Sequence, residues 1–572
     1  MPRSSRVIAF VTALTCAVLS VPVTARADWP SDPSVNVPVG TLGGVASSVQ
    51  VLADGAGGTL VGWSDVVPAD TTRQAFLQRL DPMGNASWGA NGVNVSRCTQ
   101  PGGIYAFNGS PMTVSDGRGG WITGWSDARG GYSTKLQRVD ANGTLQWTAG
   151  GVTVAPGGLL GLVSDGAQGA TVVAEDESAV IRAVRVGPSG TLLWPSPTVI
   201  GIPALPGNVV PDGSGGVILL AQVWNGTLAA NLQRVDGTGA LRWGPAGVYS
   251  SASSNWRFVM AADGEGGAIV SWSPNGPARM AQRFDSTGAE VWAHGGVPLS
   301  GGGPNTGGGV DTMITDGHGG AFLLLSTALI GAPDGGPIWV QHLGADGSRL
   351  WSSRGAPVDT SEECGSPMLA SDGAGGVFVV YEDYGIGWPT GPASAIRAQW
   401  VSSDGVAHWG LTGAPVSVGS GAGERWNPVV VGDGAGGLMA AWLDARGGTA
   451  TAGAKVYAQH VASSGAAGPA GVGTARAPLA LALSAPWPQP ARAADAVTFS
   501  VAQPSAGHVR LALFDPQGRH VRTLADGVHA AGGWTARWDG LDATGQRAGA
   551  GLYFARLETA GASVTRKVVR VP

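Results

Sequence analysis

A five-residue signal, Asp-Gly-x-Gly-Gly or a close variant, returns eight times along this chain and constrains its fold more than any other feature. An apolar run, a Gln position, a Gly and a Trp follow in most copies. Successive copies lie 47 to 62 residues apart, a spacing typical of repeat architectures, in which one unit cannot bury its apolar face alone. The eight copies begin at Asp54, Asp116, Asp165, Asp212, Asp263, Asp316, Asp372 and Asp433.

Each repeat predicts four short β-strands. Apolar residues alternate or cluster in runs of five to eight, as in residues 121–125, and such runs are strand signals. Gly stands one and four residues after every repeat Asp, which supplies the positive φ of a tight hairpin between strands A and B. A second Gly, six residues after the Gln position, marks the turn between strands C and D. We therefore predict an all-β chain with an eight-bladed β-propeller.

A column of Trp residues suggests how this ring closes. Seven of them lie ten residues after the Gln position: Trp88, Trp147, Trp194, Trp243, Trp292, Trp351 and Trp409. The eighth repeat has Pro469 there, whereas Trp29 opens a segment that reads like the one starting at Trp88. We predict that the amino-terminal segment completes the eighth blade and leaves no open edge. The alternative is that residues 466–473 fill this position.

The Trp column has two interpretations. The first is structural: each indole lies between neighbouring blades and buries ~150 to 250 Å². The second is functional: the indoles are platforms on which sugars stack. Trp256, Trp388 and Trp426, which we expect in loops, are better candidates for stacking.

One rim of the predicted disc varies in length and the other is constant. The Gln to Trp interval is always ten residues, whereas the Asp to Gln interval runs from 19 to 27. The variable B–C and D–A loops emerge on the same side of an up-and-down blade. Because rigid scaffolds carry function in variable loops, we expect a ligand on that side.

Eleven residues after the repeat Asp, five blades carry an acid that we expect on this variable side. Blade 8 abuts blade 1, so these acids form one arc over blades 7, 8, 1, 2 and 3. These acids have two interpretations. In the structural one, each carboxylate accepts backbone N–H groups at a turn. In the functional one, the acids form a ligand-binding crescent for a cation, a basic partner or sugar hydroxyls. The candidate site residues are Asp65, Asp127, Asp176, Asp383 and Asp444, with Arg129 and Arg446 two residues after Asp127 and Asp444.

Catalytic motifs are missing from the sequence. It contains no His-Glu-x-x-His, Gly-x-Ser-x-Gly, phosphate loop or Cys-x-x-Cys, and we predict no cofactor and no metal. The acid pairs Glu175–Asp176, Glu382–Asp383 and Glu362–Glu363 could act as acid and base on a glycoside. Sequence neighbours on a strand point to opposite faces, which weakens that hypothesis.

The first 27 residues have the three parts of a secretory signal peptide. Arg3 and Arg6 precede an apolar stretch over 7–21, and Ala25-Arg26-Ala27 follows. Without the three arginines of this leader the formal charge of −5 becomes −8, which argues against a nucleic-acid partner. No later run reaches the roughly 18 apolar residues of a membrane helix. We therefore expect a secreted or cell-surface protein, and the near absence of Lys suggests GC-rich bacterial coding.

Two propeller families show partial resemblance. The turn Asp140-Ala-Asn-Gly143-Thr-Leu-Gln-Trp147 resembles the tryptophan-docking repeat of quinoprotein propellers, but its Asp to Gly step is one residue short. Its position between the outer strands is similar to that of the Asp-box of sialidases. The resemblance supports the blade and transfers neither a cofactor nor catalytic residues.

The carboxyl-terminal part has a different organisation. Residues 463–477 form a Gly, Ala and Pro linker, and 28–462 precede it as the propeller. Residues 478–572 predict about seven short strands, a β-sandwich. The motifs Pro488-Gln-Pro490, Asp515-Pro-Gln-Gly518, Trp538-Asp-Gly540 and Gly551-Leu-Tyr553 resemble the Ig-like domain of the flagellar hook-capping family (FlgD), which recurs in type IX secretion sorting domains. This resemblance implies an export and surface-attachment role and a contact with export machinery.

These observations favour a non-catalytic binding or adhesion protein whose partner is a glycan or a surface protein. A secreted polysaccharide hydrolase or lyase is the second hypothesis, and a scaffold in an envelope assembly is the third. Fold alone does not separate them, because one architecture hosts many functions.

Overall fold

The computed structural model describes residues 29–40, 44–67, 72–96, 111–128, 131–201, 205–224, 228–254, 258–272, 279–299, 310–326, 337–360, 364–384, 395–410, 412–418, 425–446, 453–468, 481–483, 486, 491–492, 497–503, 506–529 and 532–571. All regular structure in these residues is β-strand, so the all-β class is confirmed. Residues 1–27, to which we assigned the signal peptide, lie outside the described part of the chain.

Eight antiparallel sheets of four strands follow the eight repeats. Strand β1 (Val37–Pro38) comes first in the chain but belongs to sheet 8. Sheet 1 holds β2 (Ala46–Ala53), β3 (Thr59–Val67), β4 (Thr72–Leu80) and β5 (Val93–Asn94). Sheet 2 holds β6 (Met112–Ser115), β7 (Trp121–Asp127), β8 (Ser133–Val139) and β9 (Val152–Pro156). Sheet 3 holds β10 (Gly158–Ser164), β11 (Ala170–Glu175), β12 (Ile181–Val186) and β13 (Thr198–Ile200).

The remaining sheets repeat this order. Sheet 4 holds β14 (Leu205–Pro211), β15 (Val217–Trp224), β16 (Leu228–Val235) and β17 (Val248–Ser254). Sheet 5 holds β18 (Val259–Ala262), β19 (Ala268–Trp272), β20 (Met280–Phe284) and β21 (Val297–Pro298). Sheet 6 holds β22 (Val310–Thr315), β23 (Ala321–Ser326), β24 (Ile338–Leu343) and β25 (Ala356–Asp359). Sheet 7 holds β26 (Cys364–Ser371), β27 (Val377–Asp383), β28 (Ala395–Val401) and β29 (Ala414–Ser417). Sheet 8 holds β30 (Arg425–Gly432), β31 (Leu438–Asp444), β32 (Lys455–Val461) and β1.

The first strands of the sheets contact one another in cyclic order. Each of β2, β6, β10, β14, β18, β22, β26 and β30 contacts the next, and β30 contacts β2. Apolar clusters fill the spaces between consecutive sheets, including the space between sheets 8 and 1. This is the arrangement expected of propeller blades.

The repeat Asp builds the A–B turn with one oxygen and anchors it with the other. In sheet 1, Asp54 Oδ1 accepts the N–H groups of Ala56 at 2.7 Å and Gly58 at 2.8 Å, while Gly55 has φ of +74°. Its Oδ2 lies 2.8 Å from Arg79 Nη2 on the third strand. The residues that bind the repeat Asp in this way are Arg79, Arg138, Arg185, Arg234, Arg283, His342, Trp400 and His460.

The constant ten-residue interval from Gln to Trp reflects direct hydrogen bonds. In sheet 2, Gln137 Oε1 accepts the N–H of Trp147 at 3.0 Å. Its Nε2 donates to the carbonyl of Thr148 at 2.9 Å. Because both groups of this buried amide are used, adding or removing a residue between Gln and Trp would leave a buried polar group unpaired.

The Trp indoles lie between consecutive sheets. Trp147 Nε1 donates to the carbonyl of Pro188 in the C–D turn of the next sheet at 2.9 Å, and its ring covers Gly190, where a β-carbon would lie 3.1 Å from the indole. Equivalent bonds to the next sheet are made by Trp88, Trp194, Trp243, Trp292, Trp351 and Trp409.

The amino-terminal segment pairs with the last sheet and contacts the first. Val37 pairs with Ala458 on β32, so β1 occupies the outer position of sheet 8 that we predicted for it and that the alternative gave to residues 466–473. Trp29 is 1% exposed and donates from Nε1 to the carbonyl of Pro82 in sheet 1 at 3.1 Å. One short segment therefore belongs to the last sheet and contacts the first.

The structure bears on one boundary of the predicted division, the one between residues 462 and 463. Trp409 Nε1 donates to the carbonyl of Ser463 at 3.1 Å, and His460 Nδ1 lies 2.7 Å from the carbonyl of Gly468. Ser463 and Gly468, which we assigned to the linker, thus contact sheets 7 and 8. The other predicted boundaries, at 28, 477 and 478, stay predictions.

The carboxyl-terminal module contains two sheets around one core. The strands are β33 (Ala482–Leu483), β34 (Ala491–Arg492), β35 (Val497–Gln503), β36 (Gly507–Phe514), β37 (His520–His529), β38 (Gly532–Trp538), β39 (Gly551–Glu558) and β40 (Ser563–Val571). They form a sheet β33-β35-β38 and a sheet β34-β40-β39-β36-β37. Phe499, Leu511 and Trp538 are fully buried in a core that both sheets share, as expected of an Ig-like sandwich.

Candidate functional site

The five predicted acids lie at the ends of second strands, opposite the Asp turns. Asp65 lies near the end of β3, Asp127, Asp383 and Asp444 end their strands, and Asp176 follows β11 directly. The structure thus places them on the side from which the variable loops emerge. Arg129 lies outside the described residues.

Asp444 is enclosed by two arginines, one of which also contacts the amino-terminal segment. Its Oδ2 lies 3.2 Å from Arg425 Nε and 2.6 Å from Arg446 Nη2. Arg446 Nη2 also donates to Asn36 Oδ1 of the amino-terminal segment at 2.6 Å. The carboxylate therefore orients a guanidinium that holds the segment carrying β1.

Asp65 is the least compensated acid of the arc. It is 2% exposed, and its Oδ1 has no hydrogen-bond partner among the described residues. Burial raises the pKa of this carboxyl to about 6, although the positive charges of Lys455 and Arg73 lower it in part. Lys455 donates to the carbonyl of Gly44 at 2.8 Å, so this group also lies at the seam between sheets 8 and 1.

The other three acids each have a basic partner. Lys135 Nζ lies 3.4 Å from Asp127 Oδ2, and Arg397 pairs with Asp383. Asp176 pairs with Arg182 and accepts the N–H of Ser178 at 2.9 Å. The hydrogen bond from Arg182 is the main cause that lowers the pKa of Asp176.

Asp176 and Asp444 accept backbone N–H groups at turns, as the structural hypothesis expects. Because four of the five acids have basic partners, the arc carries little uncompensated negative charge.

The raised pKa of Asp65 predicts a pH-dependent gain on substitution. Its folded pKa of about 6 exceeds the unfolded value of 3.8, so the folded state binds the proton more tightly and stability falls as the pH rises from 4 through 6. Asp65→Asn should therefore raise the free energy of unfolding at pH 8 by roughly 1 to 3 kcal/mol, and change it little at pH 4. Thermal unfolding at both pH values measures this. Asp346→Asn, in an exposed turn, is the control and should show no gain at pH 8; an equal effect of Asp65→Asn at both pH values would contradict the prediction.

A buried glutamate links sheets 7 and 8. Glu382 Oε1 accepts the N–H of Asn427 at 2.7 Å, and its Oε2 accepts the hydroxyl of Tyr384 at 2.7 Å. Both oxygens are used in structural bonds, which does not favour Glu382 as an acid or base on a glycoside. Glu175 is half-buried at the end of β11, and Glu362 and Glu363 lie outside the described residues.

Three residues with left-handed backbone were not found from the sequence. Ser48 has φ of +61°, Ser366 of +45° and Asn427 of +53°. Each lies in a bulge of the first strand of its sheet, six residues before the repeat Asp. Such a conformation costs a non-Gly residue roughly 1 to 3 kcal/mol. The sequence shows that all three lie six residues before the repeat Asp, but it does not show that their backbone is left-handed.

No group of three or more His, Cys, Asp or Glu side chains converges among the described residues. No helix among them is long and apolar enough to cross a membrane. Trp256 and Trp388 lie outside the described residues, whereas Trp426 is half-buried at the start of β30.

Comparison with known proteins identifies the carboxyl-terminal module. Residues 489–563 match the FlgD Ig-like domain family, so the predicted resemblance is confirmed for this part of the chain. A search of curated proteins returned no match.

Several solved structures resemble the chain at low identity. PorZ, a bacterial surface component of the type IX secretion system of Porphyromonas gingivalis, is 13% identical over 92% of this chain and 70% of its own, with a TM-score of 0.31. The propeller domain of the Trilobed protease from Pyrococcus furiosus is 10% identical over 64% of this chain and 94% of its own, with a TM-score of 0.38. An ulvan lyase of polysaccharide lyase family PL25 is 11% identical over 76% of this chain and 94% of its own, with a TM-score of 0.35. Likenesses at this level decide nothing about activity.

Proposed function

We propose that this chain is an exported, non-catalytic binding protein: an eight-bladed propeller closed by residues 29–39, followed by an Ig-like sorting or anchoring domain. The observation that carries the proposal is the difference between the two rims: the side chains of the constant rim make structural bonds, whereas the variable rim is formed by loops of different length. On the constant rim, the repeat Asp and its partner, the Gln amide and the Trp indole are engaged in bonds within or between sheets. The variable rim remains as the surface for recognition.

A glycan or a surface protein is the partner class that we propose for this rim. Asp176 and Asp383 are the arc acids whose side chains reach solvent, at 17% and 21% exposure. Both are paired with arginines, so the surface offers alternating charges rather than a uniform acidic crescent. Such a surface suits polar, weakly charged ligands better than a polycation.

Binding and turnover can be separated directly. The purified mature chain should retain labelled envelope glycans or envelope proteins in a pull-down and should release no reducing ends or unsaturated products from polysaccharides. Turnover of a polysaccharide would favour the hydrolase or lyase hypothesis. Retention of several envelope proteins as one stable complex would favour the envelope scaffold.

The carboxyl-terminal module should be needed for surface delivery. The FlgD Ig-like match at 489–563 motivates the proposal that this domain contacts export machinery and that the protein is secreted or held at the outer cell surface. Deleting 478–572 should abolish surface delivery in the native host and leave the propeller folded, because the core of the module is contained within it. Immunolabelling of intact cells measures the delivery, and protease resistance of the truncated chain controls for folding. Unchanged delivery would remove the sorting role.

A further inference from the structure

We propose that His460 is a pH-sensitive switch at the point where the chain leaves sheet 8 toward the carboxyl-terminal module. Protonated His460 holds residues 462–468, here called the exit turn, and the neutral ring releases the last carbonyl of that turn. The switch needs no ligand other than a proton, and it is independent of the binding function proposed above.

Both ring nitrogens of His460 lie against oxygen atoms that accept hydrogen bonds. Nε2 is 2.8 Å from Asp433 Oδ2, and Nδ1 is 2.7 Å from the carbonyl oxygen of Gly468. A neutral imidazole carries one N–H and can donate to one of these acceptors, whereas the imidazolium donates to both. Because His460 is 1% exposed, a neutral ring would leave one nitrogen lone pair facing an acceptor without access to water.

Asp433 is the charged group that the described contacts place beside this ring. Burial alone would raise the pKa of its carboxyl, but hydrogen bonds from His460 and from two backbone N–H groups of its own turn lower that pKa below its usual value. The carboxylate is therefore ionised at neutral pH and has no proton to donate to the ring. Met439, opposite His460 on β31, and Trp29, whose ring centroid is 6.2 Å away, are uncharged.

The equivalent position carries a permanently charged residue in sheets 1 to 5, where it is arginine. In sheet 3, Arg185 pairs with Asp165 and also donates to the carbonyl of Gly237 in the next sheet at 3.0 Å. His460 directs its second bond to the exit turn of its own sheet instead. The histidine of sheet 8 therefore makes a bond that a proton can switch, and it makes that bond where the chain departs.

His342, at the same position of sheet 6, shows the arrangement that needs only one ring proton. Its Nε2 lies 3.1 Å from Asp316 Oδ2. Its Nδ1 is buried and has no hydrogen-bond partner among the described residues, so an unprotonated Nδ1 faces no competing donor or acceptor there. The second acceptor distinguishes His460 from His342 and makes His342 a matched control.

The exit turn lies beside the amino-terminal segment. Gly468 N–H donates to the carbonyl of His460 at 3.2 Å, and a β-carbon at Gly468 would lie 3.6 Å from the α-carbon of Ser31. Gln459 Nε2 donates to the carbonyl of Pro30 at 3.1 Å. The arriving and the departing parts of the chain thus meet next to His460, and release of the Gly468 carbonyl would loosen the exit turn at this meeting point.

The exit turn should be held in mild acid and loosened in alkali. An imidazole in water loses its second proton at about pH 6.5. Because the folded site has an acceptor for each ring N–H, folding favours the protonated ring. This stabilisation is present at pH 5.5 and is lost as the pH rises to 8.5.

Hydrogen exchange of the full mature chain measures the switch. We expect the protection factor of the exit-turn amides to fall by about tenfold between pH 5.5 and 8.5, the loss typical of one hydrogen bond from a charged donor. Protection factors are already corrected for the intrinsic pH dependence of exchange. The C–D turn of sheet 2 is the internal reference and should keep its protection, because Gln146 N–H donates to the carbonyl of Arg138 at 2.8 Å as Gly468 does to His460.

Three variants complete the test. His460→Gln keeps one donor group and has no charge at either pH, so its exit turn should show the low protection of the alkaline state throughout. His342→Gln should leave the pH response of the exit turn unchanged. His460→Arg is charged at both pH values and should abolish the response, and it decides the outcome if His460→Gln does not fold. An exit turn that responds no more than the reference turn, or a response that persists in His460→Arg, would overturn the switch.

Discussion

Trp29→Ala should lower the free energy of unfolding by about 3 to 5 kcal/mol, the range for truncating a buried Trp. Trp29 is 1% exposed, belongs to the apolar cluster that also contains Val39, Trp63 and Met439, and donates a hydrogen bond to the carbonyl of Pro82. The substitution also weakens the contact between sheets 8 and 1. Apart from the amino-terminal segment, no short stretch of chain connects these two sheets. Thermal unfolding and limited proteolysis measure the effect, and we expect new cleavage near β2 and β30.

The control for this variant is Val35→Ser in the same segment. Val35 is 53% exposed, so its substitution should change the melting temperature little. Deleting residues 29–39 should be more severe than Trp29→Ala, because it opens the edge of β32 to pairing with other chains. A melting temperature that is unchanged by Trp29→Ala would show that the amino-terminal segment does not hold the ring closed.

Asp444→Asn should be nearly as destabilising, by about 3 to 5 kcal/mol, because it leaves a buried positive charge without its counter-ion. Arg425 is 4% exposed and lies 3.2 Å from Asp444 Oδ2. Burial already lowers the pKa of Arg425, and Asp444 opposes that shift. The substitution would also free Arg446 from the carboxylate that orients it toward Asn36. Chemical denaturation at pH 7 measures the loss.

Asp176→Asn is the matched control, since Asp176 occupies the same position of sheet 3 but lies in a solvent-exposed turn. Its substitution should cost less than 1 kcal/mol. The comparison also separates the two hypotheses for the arc. If Asp444→Asn left melting intact and abolished ligand binding, Asp444 would be a recognition residue and the structural role argued here would be wrong.

Features that arise from local sequence were predictable. The A–B turn needs only an Asp whose Oδ1 reaches the N–H groups two and four residues later, together with Gly at positive φ, so Asp116 and its equivalents mark the turn in the sequence. The outer position of β1 was also predictable, because Trp29 completes a spacing pattern that the eighth repeat lacks. The FlgD Ig-like module was recognisable from several spaced motifs, such as Trp538-Asp-Gly540.

The electrostatics of the arc could not be predicted in the same way. Five acids at one repeat position suggested a uniform crescent, but their partners lie at irregular distances along the chain: Lys135 is eight residues after Asp127, whereas Arg425 precedes Asp444 by nineteen. A repeat pattern does not show which Lys or Arg side chain will lie beside a given carboxylate, because that depends on how loops of different length fold.

The amino-acid sequence by itself determined the eight repeats, their strands and turns and the segment that completes the last sheet, because these depend on short-range backbone geometry and on periodic burial. Only the tertiary structure decided which charges meet and which non-Gly residues have a left-handed backbone. Arg446 reaches Asn36 across 410 residues of chain, and the bulges at Ser48, Ser366 and Asn427 exist because each first strand carries one more residue than its partner can pair. Both outcomes depend on the packing of whole sheets against one another, which no local pattern encodes.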